Sequence, residues 1–264
     1  MINKPIKEKR VAIKVTEMVA GYGEDIILNH VNFEVNEGEI FVILGGSGCG
    51  KSTLLKHLIG LNQPISGSIV IDGVDITDYK GGSFQQVLRQ CGILFQSGAL
   101  FGSMTVAENV ALPMQEHTDL TAAYIDNIVR MKLAQVSLTG YENHLPSEIS
   151  GGMRKRAGLA RAMALNPKIL FFDEPSAGLD PVTSAELDQL IIRLNRSYGT
   201  TMVIVTHELP SIFAVADRVI MLDKRFKTII AEGAPQYLCD NSQNPYVRQF
   251  FNRETEIDKD NDIL

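Results

Sequence analysis

The chain has 264 residues, of which 45% are hydrophobic and 21% are charged. This composition is typical of a globular protein with a sizeable core. Lys and Arg number 25 against 31 Asp and Glu, and the resulting net charge of −6 disfavours a strongly basic nucleic-acid-binding protein. The apolar runs have the length of strands and fall far below the roughly 20 residues of a membrane-spanning helix, and no secretory signal pattern follows the N-terminus. Three cysteines, at 49, 91 and 239, lack paired or metal-ligand spacing. We therefore expect a soluble cytoplasmic protein.

Short apolar runs between turn residues predict the strands. Runs at Val11–Val15 and Ile26–Val35, joined by the turn-prone Gly21–Gly23, predict antiparallel strands near the N-terminus. The continuous apolar run Ile40–Leu44 suits a strand buried on both faces of a sheet. Further strands are predicted at Ser68–Ile71, Gly92–Phe95, Lys168–Phe172, Thr201–Val205 and Arg218–Leu222.

Predicted helices separate these strands. One helix follows Ile40–Leu44 and ends at about Leu61. Two more occupy about Val182–Tyr198 and Leu209–Val215, and a last helix ends near Phe251. Residues at about 97–165 are rich in helix-forming types and predict a helical insertion. Alternating strands and helices predict an α/β fold with a mainly parallel sheet covered on both faces. The charged and polar residues Arg253–Leu264 are predicted to form a disordered tail.

A glycine-rich loop follows the first buried strand. Residues Gly45–Ser52 match the pattern Gly, four residues, Gly-Lys-Ser, and a predicted helix follows. Such glycines let successive backbone N–H groups point at phosphate oxygens, and the helix adds its positive dipole end. A glycine-rich structural turn is the alternative, which the placement between strand and helix disfavours. The residues predicted to bind the phosphates of a nucleotide are Gly45, Gly46, Ser47, Gly48, Cys49, Gly50, Lys51, Ser52 and Thr53.

Two acids end a later predicted strand. Asp173 and Glu174 follow the apolar run Ile169–Phe172, and a protein that hydrolyses a nucleotide needs a carboxylate at such a position to hold its metal. We expect Asp173 and the hydroxyl of Ser52 to hold Mg²⁺, and Glu174 to act as the general base on the attacking water. A solvated acidic turn before Pro175 is the alternative, which the phosphate loop disfavours.

The ordered motifs resemble those of the ATP-binding-cassette (ABC) ATPases. Ser150-Gly151-Gly152 is similar to the signature of that family, and Gln96, Asp180 and His207 match its Q-loop, D-loop and switch positions. Tyr22 lies where the family places an aromatic ring that stacks on adenine. The resemblance implies one ABC ATPase domain at 1–252, with a RecA-like P-loop core at about 11–96 and 166–251 and an α-helical subdomain at about 97–165.

The resemblance also implies a mechanism. Two copies would form a head-to-tail homodimer, in which Ser150, Gly151 and Gly152 of one copy bind the γ-phosphate of ATP held by the other. His207 would orient the water and stabilise the transition-state charge. Gln96 would help to ligate Mg²⁺ and report the nucleotide state to a partner.

Several of these residues also have ordinary structural interpretations. Tyr22 could be a turn aromatic, Cys49 a small filler, and Asp180 a cap for the helix that Pro181 begins, instead of a contact to the other subunit. Arg154–Arg156 favour a solvated helix face over a nucleic-acid patch, and we expect no nucleic-acid partner.

Met153 stands where the signature of the family usually continues with Gln, and this difference points to one subgroup of the family. Together with Phe95–Phe101 and Glu108–Pro113 it is similar to the Mla-type ATPases of lipid transporters. Those work with an integral membrane permease and a mammalian-cell-entry-type lipid-binding protein, at the cytoplasmic face of the inner membrane. The expected function is ATP-driven phospholipid transport linked to outer-membrane lipid asymmetry.

The apolar Ala99–Phe101 and Val110–Met114 could form the groove that receives the permease, or belong to the core of the helical region. Two other functions stay open: a soluble ABC ATPase of an assembly system without a permease, and an importer ATPase for a small polar solute.

Overall fold

The computed structural model describes residues 10–23, 25–77 and 82–253. Its strands are β1 (Val11–Tyr22), β2 (Asp25–Asn36), β3 (Ile40–Gly45), β4 (Ser66–Ile71), β5 (Val74–Asp75), β6 (Cys91–Leu94), β7 (Ile169–Asp173), β8 (Thr201–Val205), β9 (Arg218–Asp223) and β10 (Thr228–Gly233). Its helices are α1 (Lys51–Leu58), α2 (Gly82–Arg89), α3 (Val106–His117), α4 (Ala122–Gln135), α5 (Gly151–Ala162), α6 (Pro181–Tyr198), α7 (Leu209–Val215), α8 (Pro235–Asn241) and α9 (Pro245–Asn252), with a short 3-10 helix at Pro146–Glu148. Beyond residue 253, the predicted disordered tail lies outside the described residues.

The N-terminal strands form an antiparallel sheet in the order β2-β1-β4-β5. Strand β1 pairs with both long neighbours, for example Ile13 with Val35 on one side and with Ile71 on the other. These three side chains are buried, whereas neighbours such as Lys14 and Glu34 reach solvent and pair at 2.7 Å. This alternation is the period-two pattern of a sheet with one face on a core.

A second sheet of six strands has the order β10-β9-β3-β8-β7-β6. Strands β9, β3, β8, β7 and β6 are parallel, and β10 pairs antiparallel with β9. Every residue of β3 and β8 is buried, as expected for central strands covered on both faces. The predicted fold class, α/β with a mainly parallel sheet and an N-terminal antiparallel region, is confirmed.

Helices α3, α4 and α5 lie between β6 and β7 in the chain and pack on one another. Helix α3 begins with a capping box, in which Glu108 N donates to Thr105 Oγ1 and Thr105 N donates to Glu108 Oε2. Helix α3 begins at Val106, and the residues before it form turns that the buried Asn109 holds through the carbonyls of Phe101 and Met104.

The topology places the loops after β3, β7 and β8 side by side. These three strands are parallel neighbours, so their carboxyl ends meet at one edge of the sheet, where open α/β sheets bind ligands. Within the part of the chain that the structure describes, no helix has the length and apolar character needed to cross a bilayer.

Candidate functional site

The loop after β3 depends on glycine at two close approaches. Gly45 has a φ of +147°, and a Cβ there would lie 2.4 Å from Leu222 O and 2.6 Å from Cys49 Sγ. Gly50 has a φ of +101°, and a Cβ there would lie 2.7 Å from Leu28 Cδ2. Both the left-handed backbone and the lack of space exclude larger residues. The loop therefore bends tightly over the end of the sheet.

The bend presents the start of α1 to solvent. Gly46, Ser47, Gly48 and Ser52 are exposed, and no side chain caps the N-terminus of α1. The N–H groups of the first turn and the helix dipole together make this a candidate site for an anion.

The ammonium group of Lys51 lies over the same loop. Its Nζ donates to Gly45 O at 2.8 Å and to Gly46 O at 3.1 Å. Two neutral carbonyls are weaker partners for an ammonium than the charged oxygens of a phosphate. An anion in the loop could therefore draw Lys51 away from them.

Cys49 lies beneath the loop with 1% of its surface exposed, and burial raises the pKa of its thiol. Its Sγ fills the space under Gly45, as expected if Cys49 is a small filler residue.

Asp173 ends β7 beside the loop. Burial and the neighbouring Glu174 carboxyl raise the pKa of Asp173, while the nearby Lys56 and Lys51 act in the opposite direction. A bound cation would relieve this crowding of two carboxyl groups.

Glu174 and His207 meet at the ends of β7 and β8. His207 Nδ1 lies 2.8 Å from Glu174 Oε1, and Glu174 N donates to Val205 O at 2.8 Å. Glu174 Oε2 is buried without a hydrogen-bond partner among the described residues. A buried, unpaired carboxylate oxygen is costly. It is therefore a candidate acceptor for a proton from a bound molecule.

Gln96 and Tyr22 lie apart from these contacts. Gln96 is exposed in the turn after β6, the edge strand that pairs with β7. Tyr22 is half-exposed, at 51%, and ends β1 opposite Asp25. No side-chain hydrogen bond joins either residue to another of the described residues.

The signature residues form the N-terminus of α5. Ser150 Oγ accepts from Met153 N at 3.2 Å, and a Cβ on Gly152 would lie 2.5 Å from Thr183 Cγ2. Gly152 therefore lets α5 approach α6 closely. Among the described residues, no hydrogen bond or ion pair connects Ser150, Gly151 or Gly152 with the loop of Gly45–Thr53.

Asp180 caps α6. Its Oδ1 accepts from Val182 N at 3.1 Å and from Thr183 N at 3.0 Å, and Thr183 Oγ1 donates to Oδ2 at 2.5 Å. These bonds, the one from the Thr183 side chain first, lower the pKa of Asp180. Of the two interpretations of Asp180, the structure shows the cap.

Comparison with known proteins identifies the family. The family model for ABC transporters matches residues 28–177, a stretch that contains the glycine-rich loop, Gln96, Ser150 and Glu174. The chain belongs to the ABC transporter family.

Two curated relatives and one solved structure illustrate the similarity. The probable ribonucleotide transport ATP-binding protein mkl of Mycobacterium tuberculosis is 45% identical over 242 residues, which cover 92% of this chain and 67% of mkl. The intermembrane phospholipid transport system ATP-binding protein MlaF of Escherichia coli is 43% identical over 229 residues, 86% of this chain and 84% of MlaF. The dimeric post-hydrolysis structure of the ATP-binding cassette MJ0796 bound to ADP and Pi has a TM-score of 0.75 and 31% identity, and covers 84% of this chain and 98% of that one.

The basic residues after the ABC signature are engaged within the chain, and the expectation of a solvated face is wrong for Lys155. Lys155 is 5% exposed, and its Nζ donates to Pro175 O at 2.5 Å and to Ala177 O at 2.6 Å. Arg154 donates to Ile149 O at 2.8 Å, and Arg156 pairs with Glu186 at 2.5 Å. Because Arg154, Lys155 and Arg156 are all basic, the sequence does not indicate which of them faces inward.

The apolar residues after Gln96 divide between core and surface. Val110, Ala111 and Met114 are buried in the core, so for them the groove interpretation is wrong. Phe101 is 53% exposed, with Arg161 6.0 Å over its ring.

A cleft of about 540 Å³ opens between α2, β6, α3 and the end of α5. Its wall includes Arg89, Phe95, Pro113 and Arg161. Three of its twelve lining residues, Gln85, Leu88 and Arg89, belong to α2, a helix that no sequence pattern predicted.

Proposed function

We propose that this ABC protein is the ATP-hydrolysing subunit of a phospholipid transporter, and that residues 1–252 act as one ATPase domain with the core and helical subdomain predicted above. The observation that supports hydrolysis is the state of the Glu174 carboxylate. Its Oε1 pairs with His207, and its buried Oε2 has no hydrogen-bond partner among the described residues. The glycine-rich loop lies at the same end of the sheet, and the helix that follows it, α1, has no side-chain cap from Gly50. The similarity to MlaF supports the phospholipid cargo.

ATP would lie with its phosphates in the loop from Gly45 to Thr53 and its adenine against Tyr22. The exposed N–H groups of the loop bind phosphate oxygens, and Lys51 moves from its two carbonyls onto the outer phosphates. The half-exposed ring of Tyr22 is open to stacking.

Ser52, Gln96 and Asp173 supply a hydroxyl, an amide and a carboxylate, the all-oxygen donor set that Mg²⁺ prefers. Burial, and after it the neighbouring Glu174 carboxyl, raise the pKa of Asp173 and so disfavour its negative charge, and a cation bound there would offset both effects. When bound, Mg²⁺ neutralises charge that develops on the phosphates during transfer.

Glu174 acts as the general base of hydrolysis. A water bound at Oε2 would give a proton to the carboxylate as its oxygen attacks the γ-phosphorus, while the bond to the bridging oxygen of the β-phosphate breaks and ADP leaves. His207 holds the other oxygen of this carboxylate at 2.8 Å and leaves its Nε2 side free for the phosphate. Positioning and charge stabilisation, the main sources of catalysis in phosphoryl transfer, then come from Lys51, His207 and Gln96.

A head-to-tail homodimer would complete each site. Ser150, Gly151 and Gly152 have no bond to the loop of their own chain and offer an anion-binding helix N-terminus. The dimeric structure of MJ0796 with ADP and Pi supports dimerisation.

The permease would dock in the cleft beside Gln96. The cleft borders the strand that leads into Gln96, which could therefore report the nucleotide state to the permease. An integral permease and a mammalian-cell-entry-type lipid-binding protein are the expected partners, at the cytoplasmic face of the inner membrane. The name of mkl supports a second cargo, ribonucleotides.

Affinity purification of the tagged chain from gently solubilised membranes tests the transport role. Recovery of a polytopic permease with a lipid-binding protein supports it, and phospholipid transfer between vesicles by the recovered complex identifies the cargo. Recovery of soluble proteins alone, or ribonucleotide transport without lipid transfer, contradicts it. Arg89→Glu in the cleft wall should reduce recovery of the permease, whereas Arg130→Glu, on the exposed side of α4, should not.

Replacement of the base tests the chemistry. Glu174→Gln should lower ATP turnover by roughly 10²–10⁴-fold while nucleotide binding is retained, because the amide cannot accept the proton. Glu186→Gln, on the exposed side of α6, is the matched control. Turnover by Glu174→Gln at the parent rate would show that another group is the base.

A further inference from the structure

The ammonium group of Lys155 is buried, and its hydrogen-bond partners among the described residues are all backbone carbonyls. Besides Pro175 O and Ala177 O, its Nζ contacts Glu174 O at 3.5 Å. Among the described residues it has no ion pair. Burial is the main cause of its lowered pKa, which the charges of Glu208 and Glu174 partly oppose. A long cationic side chain is rarely buried without a demanding role for its donors.

The carbonyls that Lys155 holds belong to the segment that follows β7. That segment begins with Glu174 in the left-handed region, at a φ of +46°. A residue with a side chain is strained in this region and persists there only where the surroundings fix it. The bond from Glu174 N to Val205 O fixes one side of the turn. Lys155 fixes the other side, through the carbonyl of the next residue and that of Ala177.

Lys155 also belongs to the helix that begins with the signature. It lies one turn after Ser150, Gly151 and Gly152, and its side chain crosses to the loop that carries Glu174. In the proposed dimer, Glu174 would act on the ATP of its own chain and the signature residues on the ATP of the other chain. Lys155 therefore links two groups that contact different ATP molecules.

We propose that Lys155 is a positioning residue for hydrolysis: its ammonium group fixes the turn at Glu174–Ala177 and so couples the orientation of Glu174 to that of the signature helix. The proposal rests on the role of Glu174 as the base. It extends that role by naming the group that keeps the carboxylate aimed at the water.

Steady-state ATPase kinetics and nucleotide titration of Lys155→Met test the proposal. Methionine keeps the apolar stem and removes all three donors. We expect kcat to fall about tenfold or more, because a small misplacement of a catalytic group has effects of that size. The affinity for a fluorescent ATP analogue should stay within twofold of the parent, since Lys155 does not face the phosphate loop. Lys155→Arg, which keeps charge and donors, should recover kcat relative to Lys155→Met.

The matched control is Arg156→Met, the next residue on α5, whose partner Glu186 is exposed; its kcat should match the parent. A parent-like kcat in Lys155→Met, an equal loss in Lys155→Arg, or an equal loss in Arg156→Met would overturn the proposal. A parallel loss of nucleotide affinity would do so too, because it would indicate general damage to the fold.

Two further measurements keep the outcome decisive. If circular dichroism shows that Lys155→Met is unfolded, Lys155→Gln takes its place: its amide stands on a shorter stem, which cannot bring a donor to the position of Nζ between Pro175 O and Ala177 O, so a parent-like kcat overturns the proposal. Glu174→Gln is measured beside it. Hydrolysis by Glu174→Gln would contradict the proposed base itself, whereas an inactive Glu174→Gln with a fully active Lys155→Met would contradict only the role of Lys155.

Discussion

Helices α1 and α5 both begin beside glycines, but their N-termini are built differently. Gly50 precedes α1 in the left-handed conformation, and no side chain caps that helix. Ser150 precedes α5 in an extended conformation, and its hydroxyl accepts from the N–H of Met153. The first N-terminus thus leaves its N–H groups open to a ligand, and the second has already satisfied one of them.

The cations near the two helix starts differ as well. Lys51 lies over its own loop on two carbonyls that it can leave. On α5, Arg154, Lys155 and Arg156 each bond to carbonyls or a carboxylate of this chain. In the proposed site, the start of α1 would therefore hold a polyphosphate by itself, whereas the start of α5 would add N–H and hydroxyl donors to an anion held by other groups. This asymmetry is what a site shared between two copies requires.

The largest effect is expected in mixed dimers that carry one substitution at the start of α1 and one at the start of α5. With Ser150→Arg in one subunit and Lys51→Ala in the other, both lesions fall on one shared site and the second site is intact. With both changes in the same subunit and none in its partner, each site carries one lesion. The second arrangement should turn over ATP roughly 10²–10³-fold more slowly than the first, the effect of losing charge-stabilising donors.

Differently tagged subunits allow each mixed dimer to be purified before ATPase assay. Equal rates in the two arrangements would contradict the shared site.

Lys51→Ala alone should weaken nucleotide binding to the dilute monomer roughly 10–100-fold, as expected for the loss of hydrogen bonds to a charged group. Ser150→Arg should leave this affinity unchanged, because α5 would act only across the dimer. Lys168→Ala removes a lysine that pairs with Asp72 instead and serves as the control. Titration with a fluorescent nucleotide measures all three. An unchanged affinity in Lys51→Ala would remove the basis for the phosphate site.

The smallest effects concern stability. Gly50→Ala should lower the free energy of unfolding by about 1–3 kcal/mol, because a Cβ strains the left-handed backbone and meets Leu28. Ser150→Ala should cost about 1 kcal/mol through the lost cap. Urea denaturation without nucleotide measures both values. A larger loss in Ser150→Ala would reverse the comparison, since the cap of α5 would then matter more than the bend before α1.

The sequence allowed prediction of the parts that follow strong local patterns. The run Ile40–Leu44 and the glycines after it predicted a buried strand and an open loop, and the acids after Phe172 predicted the neighbouring strand end. Helix α7 has the predicted bounds, Leu209–Val215, because its apolar spacing is regular. These patterns involve residues close together in the chain.

What escaped prediction depends on contacts between distant residues. Strand β10 is only partly buried, so its sequence lacks a clear strand pattern. Its strand conformation depends on its pairing with β9. The two-residue strand β5 exists only through its pairing with β4. The inward direction of Lys155 is set by the carbonyls of Pro175 and Ala177, which the sequence places about 20 residues away.

Cys49 gives the phosphate loop a built-in chemical reporter. The thiolate is the form that attacks an alkylating reagent; burial raises the pKa of this thiol, which suppresses the thiolate, and also keeps the reagent away. Burial also raises the pKa of Cys91, to about 12, so this thiol is likewise protected from alkylation. The rate at which Cys49 is alkylated therefore measures how often the loop lifts from the sheet, and a nucleotide that clamps the loop should slow that rate.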